Sequence, residues 1–422
     1  MAHDDSAYKY TLNSEQNHRL HSILNPQLFY LNKIFTEHCF QLRLVGGVVR
    51  DICLNKCPGD VDLATNATPA QVSDLFKSEN VRFYETGLQH GTITALVSKQ
   101  TYEITSLRTD IACDGRHAVV EFTENWRLDA ERRDLTINAM SLSFDGYLYD
   151  YFNGREHLKL GIIRFVGSPM RRICEDYLRI LRYFRFHGRV SLTDDYDEDI
   201  INAIEHLKNG LRTISGERIW NELQKILTGP RNVNIMKCMF DCGVCECIQL
   251  VNRNRLTSLA TVSIFSSNPV SLLVSLLETS EDFLCVHRRW NLSNNEKNLG
   301  LFILQHRDAF KDFLFEEKNK LSRRRFKYAT DLLVDKVKLL FVHELLLYWG
   351  DPESAQVLID FEIPDFPVSG NDVIACGIPR GKLVGATLQK LRTYWKESFY
   401  SFTKKELLKK IAAESNDNNI NK

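Results

Sequence analysis

The sequence contains no apolar run that approaches the ~20 residues that a membrane-spanning helix needs. It also has no excess charge of either sign, because 54 Lys and Arg residues balance 54 Asp and Glu residues. Any contact with RNA must therefore come from local basic patches. Residues 1–15 have neither the apolar core of a signal peptide nor an Arg-rich presequence pattern, although a longer precursor form stays open. We expect no membrane partner.

The eleven cysteines come without a secretion signal, so we expect reduced thiols and an intracellular protein. Four of them lie close together in the sequence, at Cys238, Cys242, Cys245 and Cys247. Four thiolates could bind zinc, but this spacing is irregular for a zinc site. We expect ordinary, partly buried thiols, with a structural metal as the alternative.

Length and composition suit a globular protein of two to four domains, with 422 residues, 44% of them apolar and 26% charged. Apolar and β-branched runs predict strands at 42–45, 61–65, 92–97 and 102–107. Apolar spacing predicts helices at 13–39, 48–54 and 69–76, and again from about residue 150 to the C-terminus. The predicted fold class is α+β, with a small mixed sheet followed by helices only.

Breaks in this pattern divide the chain into four predicted domains. Strand signals end near residue 150, Gly229-Pro230 interrupts the helices, and proline and glycine recur at 364–370. The domains are a head, a neck, a body and a tail, at residues 1–150, 151–229, 230–362 and 363–422. Within the head, the Gly-bearing and charged residues 110–121 predict a mobile loop.

The clearest chemical signal is a Gly-Gly step, Gly46-Gly47, that follows a predicted strand and opens a predicted helix. Glycine lets backbone N–H groups approach a phosphate at the start of a helix. The next strand carries Asp60 and Asp62, which share one face because side chains alternate along a strand. Paired carboxylates are the oxygen ligands that Mg²⁺ prefers. Together these residues predict a phosphoryl or nucleotidyl transfer site, whereas each alone would be an ordinary turn or solvated loop.

Further polar residues suit the same chemistry. Glu103, between apolar neighbours on a later strand, is a candidate third carboxylate, or else an ion-paired residue on a solvent-facing side. Arg132 and Arg133 could neutralise a triphosphate through their planar guanidinium groups. Asp134 and Asn138, four residues apart, would share a helical face and could hold ribose hydroxyls. The alternative for this segment is a capped helix start with surface ion pairs.

A stripe of charge at three-residue spacing follows, formed by Asp176, Arg179, Arg182 and Arg185. On a helix these residues would form one slowly drifting face, with Leu178, Leu181 and Phe184 opposite. An Asp acceptor beside an Arg donor matches the pairing edges of cytosine and adenine, and mismatches those of uracil and guanine. When the wrong base binds, the buried hydrogen-bonding groups of such a site stay unpaired, and this costs binding free energy. An exposed charged face is the alternative.

These motifs resemble, in order, those of the class II CCA-adding enzymes, the tRNA nucleotidyltransferases of the eukaryotic, mitochondrial type. The likeness runs from about residue 42 to residue 227 and continues more weakly to the end. It includes the Gly-Gly step with Arg50, the Asp60/Asp62 pair, Arg132–Asn138, a linker at 150–154, Asp176/Arg179 and the helix at 215–222. The last of these is held to brace the neck in the family.

The resemblance implies template-independent addition of C, C and A to tRNA 3′ ends from CTP and ATP. It implies two Mg²⁺ ions held by Asp60 and Asp62, phosphate binding by Gly47, Arg50, Arg132 and Arg133, and base selection by Asp176 and Arg179. Poly(A) polymerase, CC-only and A-only enzymes stay open as alternatives within the family. Loss of the 110–119 loop is associated with CC-only enzymes, so its presence favours the full reaction. A non-catalytic tRNA-binding protein is disfavoured, because both Asp residues are intact.

Two basic clusters lie outside these motifs. One contains Arg323, Arg324 and Arg325, and the other opens a predicted helix with Arg380 and Lys382. Either is a solvated face or an RNA-phosphate contact, and the resemblance favours tRNA binding by the second. We expect a monomer or homodimer, in mitochondria, the cytoplasm or the nucleus.

Overall fold

The structure is a computed structural model that describes residues 5–87, 91–113, 118–313 and 317–411. The chain forms two compact units. The first unit comprises Met1–Leu256 and Cys285–Leu292, and the second comprises Thr257–Leu284 and Ser293–Lys422. The predicted fold class is confirmed, since a mixed sheet in the N-terminal part is followed by helices. The division into head, neck, body and tail stays a prediction.

The main sheet has eight strands in the order β1-β10-β9-β2-β3-β6-β5-β4. Their bounds are β1 Lys9–Thr11, β2 Leu42–Val45, β3 Asp62–Thr65, β4 Arg82–Gly87, β5 Thr92–Val97, β6 Gln100–Ser106, β9 Ser141–Leu142 and β10 Tyr147–Tyr149. Strands β3 and β6 run parallel, and their register places Asp62 beside Glu103. All four residues of β2 are buried, as expected for a strand in the middle of a sheet. Asp62 at the start of β3 thus lies beside Glu103 in the middle of β6, whereas Asp60 precedes β3, so the prediction that one strand carries both Asp60 and Asp62 was wrong.

The segment predicted to be a loop at 110–121 instead forms two strands. β7 Arg108–Cys113 and β8 Ala118–Phe122 pair antiparallel in a separate two-stranded sheet. The loop prediction was wrong because glycine and charged residues in the middle obscured the apolar and β-branched residues on both sides. Residues 114–117, where mobility was also expected, lie outside the described residues.

Helices of the first unit surround and follow the sheet. Those up to residue 150 are α1 Ser14–Ile23, α2 Pro26–Glu37, α3 Gly47–Cys53, α4 Pro69–Ser78 and α5 Trp126–Glu131. The single helix predicted at 13–39 is two helices, because Asn25 caps the second through the Leu28 amide and Pro26 fits only a first turn. The helix predicted to open at Pro69 is confirmed, and Thr68 and Gln71 cap it reciprocally.

After residue 150, every regular element in the described part of the chain is a helix, as predicted. Those that begin in the first unit are α6 Gly154–Leu160, α7 Pro169–Glu175, α8 Arg179–Val190, α9 Glu198–Leu207, α10 Gly216–Leu227, α11 Asn232–Asp241, α12 Val244–Cys247 and α13 Leu256–Val262. The remaining ones are α14 Pro269–Ser275, α15 Ser280–Trp290, α16 Asn294–His306, α17 Lys318–Val334, α18 Leu339–Tyr348, α19 Pro352–Ile359, α20 Gly370–Ala375 and α21 Lys382–Glu397. Of the helices that the structure describes, none combines the length and apolarity that a bilayer crossing requires.

Candidate nucleotide-binding site

A cavity of about 540 Å³ lies in the first unit, where the sheet meets α8 and α10. It gathers all the residues that the sequence predicted to bind a nucleotide, together with Asp62 and three residues that were not assigned to the site. The lining residues are Gly46, Gly47, Arg50, Asp62, Arg132, Arg133, Asp134, Asn138, Asp176, Leu178, Arg179, Arg182, Arg185, Phe186 and Arg218. The cavity therefore joins the Gly-Gly step to the predicted base-reading residues.

The Gly-Gly step forms a tight corner between β2 and α3. Gly46 has φ +72°, a conformation that L side chains rarely adopt. A Cβ atom at Gly46 would stand 3.6 Å from Arg133 Nη1 and 3.9 Å from Asp62 Oδ2. The backbone of the step therefore lies directly against a predicted phosphate ligand and a predicted metal ligand.

The predicted acids Asp60, Asp62 and Glu103 influence one another's charge. Burial raises the pKa of Asp62, and the nearby carboxylates of Glu103 and Asp60 raise it further, while Arg133 opposes them. Within the described ranges, no ion pair joins these three acids to a cation. The same ranges contain no group of three His, Cys, Asp or Glu side chains arranged to hold a metal ion. Of the three predicted acids, Asp62 lines the cavity and Asp60 and Glu103 do not, so the metal site at Asp60 and Asp62 stays a prediction.

One buried carboxylate holds both members of the Arg132/Arg133 pair. Asp129, which is 3% exposed, accepts hydrogen bonds from Arg132 Nε at 2.9 Å and from Arg133 Nη2 at 3.2 Å. Although burial alone would raise the pKa of Asp129, the charges of Arg133 and Arg132 hold it below its ordinary value. The backbone amide of Arg108, at the start of β7, also donates to this carboxylate at 3.4 Å. The sequence analysis did not assign Asp129 to the site, although its spacing of three and four residues from the two arginines indicates ion pairs on a helix.

Asp134 and Asn138 contact each other, but not on a shared α-helix as predicted. Residues Thr136–Asn138 form a 3-10 turn, and Asn138 Nδ2 donates to Asp134 Oδ1 at 3.3 Å. Arg182 Nε donates to the other oxygen of Asp134 at 2.6 Å, and Arg50 Nη1 donates to Asn138 Oδ1 at 2.9 Å. Burial would raise the pKa of Asp134, but Arg182 and its hydrogen bond lower it. This network joins α3, the turn and α8.

The predicted charge stripe on one helix was partly wrong. Helix α8 begins at Arg179, whereas Asp176 follows α7 with extended backbone and Leu178 precedes α8. Leu178 also lines the cavity instead of lying on the opposite side. The cause is local, since Asp176 Oδ1 accepts from the Leu178 amide at 3.1 Å and so favours a turn over a continuous helix. Arg179, Arg182 and Arg185 nevertheless line the same cavity as Asp176.

The predicted base-reading pair has protein partners in this structure. Asp176 Oδ2 accepts from Arg218 Nη2 at 2.7 Å, and Arg218 comes from α10. Arg179 Nη1 donates to Glu175 Oε2 at 2.6 Å, and its Nη2 donates to the carbonyl of Arg132 at 3.0 Å. The sequence assigned α10 only a bracing role, so Arg218 was missed as a cavity residue.

Helix α10 also supports the last arginine of the series. Glu222 is 6% exposed and forms an ion pair with Arg185, with Nε 2.7 Å from Oε2. Burial lowers the pKa of Arg185 to about 10, and the Glu222 charge opposes that shift. The bracing role predicted for residues 215–222 thus has a physical basis in this buried pair.

The basic clusters lie in the second unit and differ in exposure. Arg325 donates to the carbonyl of Trp349 at 2.8 Å, and burial lowers its pKa. Arg323 and Arg324 are both exposed, and the guanidinium carbon of Arg324 lies 4.6 Å from the centroid of the Phe313 ring. Arg380 and Lys382 are both exposed at the start of α21. All of these cluster residues except Arg325 are thus exposed.

The clustered cysteines lie at the end of α11 and in α12. Cys242, Cys245 and Cys247 are buried, and Cys238 is half-buried. Desolvation raises the pKa of Cys245 well above its ordinary value, which disfavours the thiolate that zinc requires. These are the properties expected of packed thiols.

Two family models match the chain. The model described as the poly A polymerase head domain matches residues 42–164, and the model described as a probable RNA- and SrmB-binding site of polymerase A matches residues 196–249. Among curated proteins, the mouse (Mus musculus) protein named CCA tRNA nucleotidyltransferase 1, mitochondrial, is 44% identical over 94% of this chain and 92% of its own length. The Homo sapiens protein of the same name has the same identity and coverage. The CCA-adding enzyme of Bacillus subtilis is 31% identical over 85% of this chain and 90% of its own.

Solved structures share the fold. The Bacillus stearothermophilus CCA-adding enzyme in complex with CTP aligns with a TM-score of 0.74 at 24% identity, covering 94% of this chain and all of that one. The Thermotoga maritima CCA-adding enzyme complexed with tRNA aligns with a TM-score of 0.68 at 20% identity, over 96% and 99% of the two chains. At this identity the likeness concerns the fold alone.

Proposed function

The chain belongs to the family of CCA-adding tRNA nucleotidyltransferases, and we propose that it adds C, C and A in turn to tRNA 3′ ends from CTP and ATP. The reaction needs no nucleic acid template, because protein side chains select the base. The observation that carries this proposal is the single cavity that holds Asp62, the Arg132/Arg133 pair and the Asp176/Arg179 pair.

Asp60 and Asp62 would hold divalent cations, for which Mg²⁺ is the natural choice among oxygen-liganded ions. The pKa of Asp62 is raised by burial first and then by the charges of Glu103 and Asp60, and a bound cation would favour its ionised form. When bound, two such ions would supply Lewis-acid activation of the primer 3′-hydroxyl and stabilisation of the leaving pyrophosphate. Glu103, beside Asp62, would add negative charge to this site.

The arginines would bind the triphosphate. Arg132 and Arg133 are fixed by Asp129, so their free N–H groups are oriented before the nucleotide arrives. Arg50 and the backbone of the Gly-Gly step lie on the same cavity wall. Asn138 and Asp134, which adjoin Arg50, would lie near the ribose. In this proposal the phosphates would lie close to the acids and the base beside Asp176 and Arg179.

Asp176 and Arg179 would read the base as an acceptor and a donor. Cytosine and adenine both present an amino donor beside a ring-nitrogen acceptor, so one such pair accepts both and rejects uracil and guanine. Asp176 accepts a hydrogen bond from Arg218, and Arg179 donates one to Glu175. Binding of the base would exchange part of those contacts for hydrogen bonds to the nucleotide.

The proposal is tested by giving a tRNA that lacks its 3′ CCA each nucleotide singly and in combination, then sizing the product. CTP alone should extend the tRNA by CC, and CTP with ATP should complete CCA and stop. Long tails from ATP alone would identify a poly(A) polymerase, and arrest at CC with both nucleotides a CC-only enzyme. Addition confined to tRNA that already ends in CC would identify an A-only enzyme, and no addition would leave a tRNA-binding protein.

The same interpretation predicts the binding partners of the protein. We propose that tRNA is the acceptor and that the exposed residues Arg380, Lys382, Arg323 and Arg324 contribute phosphate contacts, whereas Arg325 donates to the Trp349 carbonyl. The printed names of the mouse and human relatives support a mitochondrial role. Fractionation of cells that express a tagged chain tests the compartment, and sedimentation tests whether it is a monomer or a homodimer.

A further inference from the structure

Three arginine side chains converge on one aromatic ring in the cavity. Phe186, on α8, is 3% exposed and lines the cavity. The guanidinium carbon of Arg185 lies 4.3 Å from the ring centroid, that of Arg50 lies 5.0 Å from it, and that of Arg182 lies 5.6 Å from it. Arg50 comes from α3 and the other two from α8, so cations from two elements meet at this ring.

Such crowding of like charge needs compensation. Each arginine has a carboxylate partner: Arg50 pairs with Asp51, Arg182 with Asp134 and Arg185 with Glu222. Polar contacts also link the arginines in pairs, since Glu222 lies 4.0 Å from Arg182 as well, and Asn138 bonds to both Arg50 and Asp134. The ring is the contact that all three share, and its negative face attracts each of them.

We propose that Phe186 is a positioning residue that gathers Arg50, Arg182 and Arg185 into one polycationic surface for the nucleotide triphosphate. This inference rests on the proposed function. The surface binds an anion well because the ring holds three cations close together, and each guanidinium has five N–H donors, more than its carboxylate partner engages. The aromatic character of residue 186, and not its volume alone, sets nucleotide affinity.

If Phe186 only stabilised the fold, the nearby Phe184 on the same helix would have the same role. Phe184 is fully buried on the same helix and packs against the rings of Tyr183 and Tyr196, with centroids 5.6 Å and 6.1 Å away. It is not among the residues that line the cavity. Phe184→Leu is therefore a matched control for Phe186→Leu.

The experiment measures CTP and ATP dissociation constants by calorimetry, kcat for addition to tRNA, and melting temperature. Phe186→Leu should raise both dissociation constants about tenfold by removing the shared cation–π contacts, with kcat changed less than about threefold. Phe186→Tyr retains the ring and should restore affinity to within about twofold. Phe184→Leu should lower the melting temperature at least as much as Phe186→Leu, yet leave affinity within about twofold of wild type.

A second series keeps the side-chain shape constant. Phenylalanines with increasing ring fluorination at position 186 weaken the negative face, so the dissociation constants should rise stepwise with fluorine number. A flat series, or an equal rise for Phe184→Leu, would overturn the role of Phe186. Wild-type protein that binds CTP but extends no tRNA would instead overturn the proposed function, and calorimetry still tests Phe186 in that case.

Discussion

The cavity arginines are each held by a carboxylate that lies beside them. Asp129 holds Arg132 and Arg133, Glu175 holds Arg179, and Asp176 holds Arg218. Side chains ordered in this way lose less conformational freedom when an anion binds. Asp62 forms no ion pair among the described residues, although the charge of Arg133 lowers its pKa. An unpaired carboxylate close to oriented arginines would suit a metal ion bound together with a triphosphate.

The acids are tested by Asp60→Ala and Asp62→Ala. Each change removes a carboxylate from the proposed cation site, so nucleotide addition should fall by more than about 1,000-fold. Affinity for tRNA, measured by filter binding, should stay within about twofold, because we assign these residues to metal binding and not to contacts with the tRNA backbone. Asp74→Ala, an exposed acid on α4, is the control. Normal turnover of either variant with Mg²⁺ would contradict the site assignment.

Asp129→Asn tests the positioning of the arginine pair. The change leaves the partly buried guanidinium groups of Arg132 and Arg133 without their counter-charge. The free energy of unfolding should therefore fall by about 3 kcal/mol. The KM for both CTP and ATP should rise about tenfold as Arg132 and Arg133 lose their fixed orientation. Urea denaturation and steady-state kinetics measure the two effects. The exposed Glu124→Gln provides the control, and an unchanged KM in a destabilised Asp129 variant would argue against the positioning role.

At the scale of elements, the sequence predicted most of the sheet and the order of motifs. Alternation and β-branched residues located β2, β3, β5 and β6, and Pro69 located α4. The sequence could not predict the turn at Asp176, because this turn depends on a single hydrogen bond from the Leu178 amide to the Asp176 carboxylate. It also could not predict the partners of α10, since the contacts of Arg218 and Glu222 with the cavity wall come from tertiary packing.

Helix α10 packs closely against α15 at Gly216, and the substitution Gly216→Ala tests this contact. A Cβ atom at Gly216 would overlap the backbone carbonyl of Arg289 and the Cα of Trp290, and neither can move independently. The variant should lose about 3 kcal/mol of unfolding free energy, comparable to a strongly overpacked core. Because α10 carries Arg218 and Glu222, nucleotide KM should rise as well.

The matched change is Gly385→Ala in α21, where a Cβ atom would meet nothing within 4 Å. Alanine there should be neutral or stabilise the protein by up to about 1 kcal/mol through helix propensity. Thermal and urea unfolding measure both variants. Equal stability of the two alanine variants would show that α10 does not depend on this contact.

At the scale of the whole molecule, the balanced formal charge leaves RNA binding to local patches. The chain forms two compact units, and the candidate nucleotide site lies entirely in the first. The exposed Arg380 and Lys382 lie in the second. Nucleotide binding and tRNA binding should therefore respond to different substitutions.

Arg380→Ala/Lys382→Ala tests that separation. Loss of two phosphate contacts should weaken tRNA binding about tenfold and reduce the slope of log affinity against log salt by about 1.5. The KM for CTP, measured with saturating tRNA, should not change. Lys33→Ala/Lys77→Ala, two exposed cations of the first unit, should alter neither quantity. A rise in the KM for CTP without a change in tRNA affinity would contradict the assignment.

The most direct measurement is a crystal structure of the protein with CTP and Mg²⁺. It should show the cytosine pairing edge bonded to the Asp176 carboxylate and the Arg179 guanidinium, with the triphosphate between Arg132/Arg133 and the metal-bound carboxylates of Asp60 and Asp62. A cytosine edge facing solvent, or a nucleotide bound away from these residues, would contradict the account.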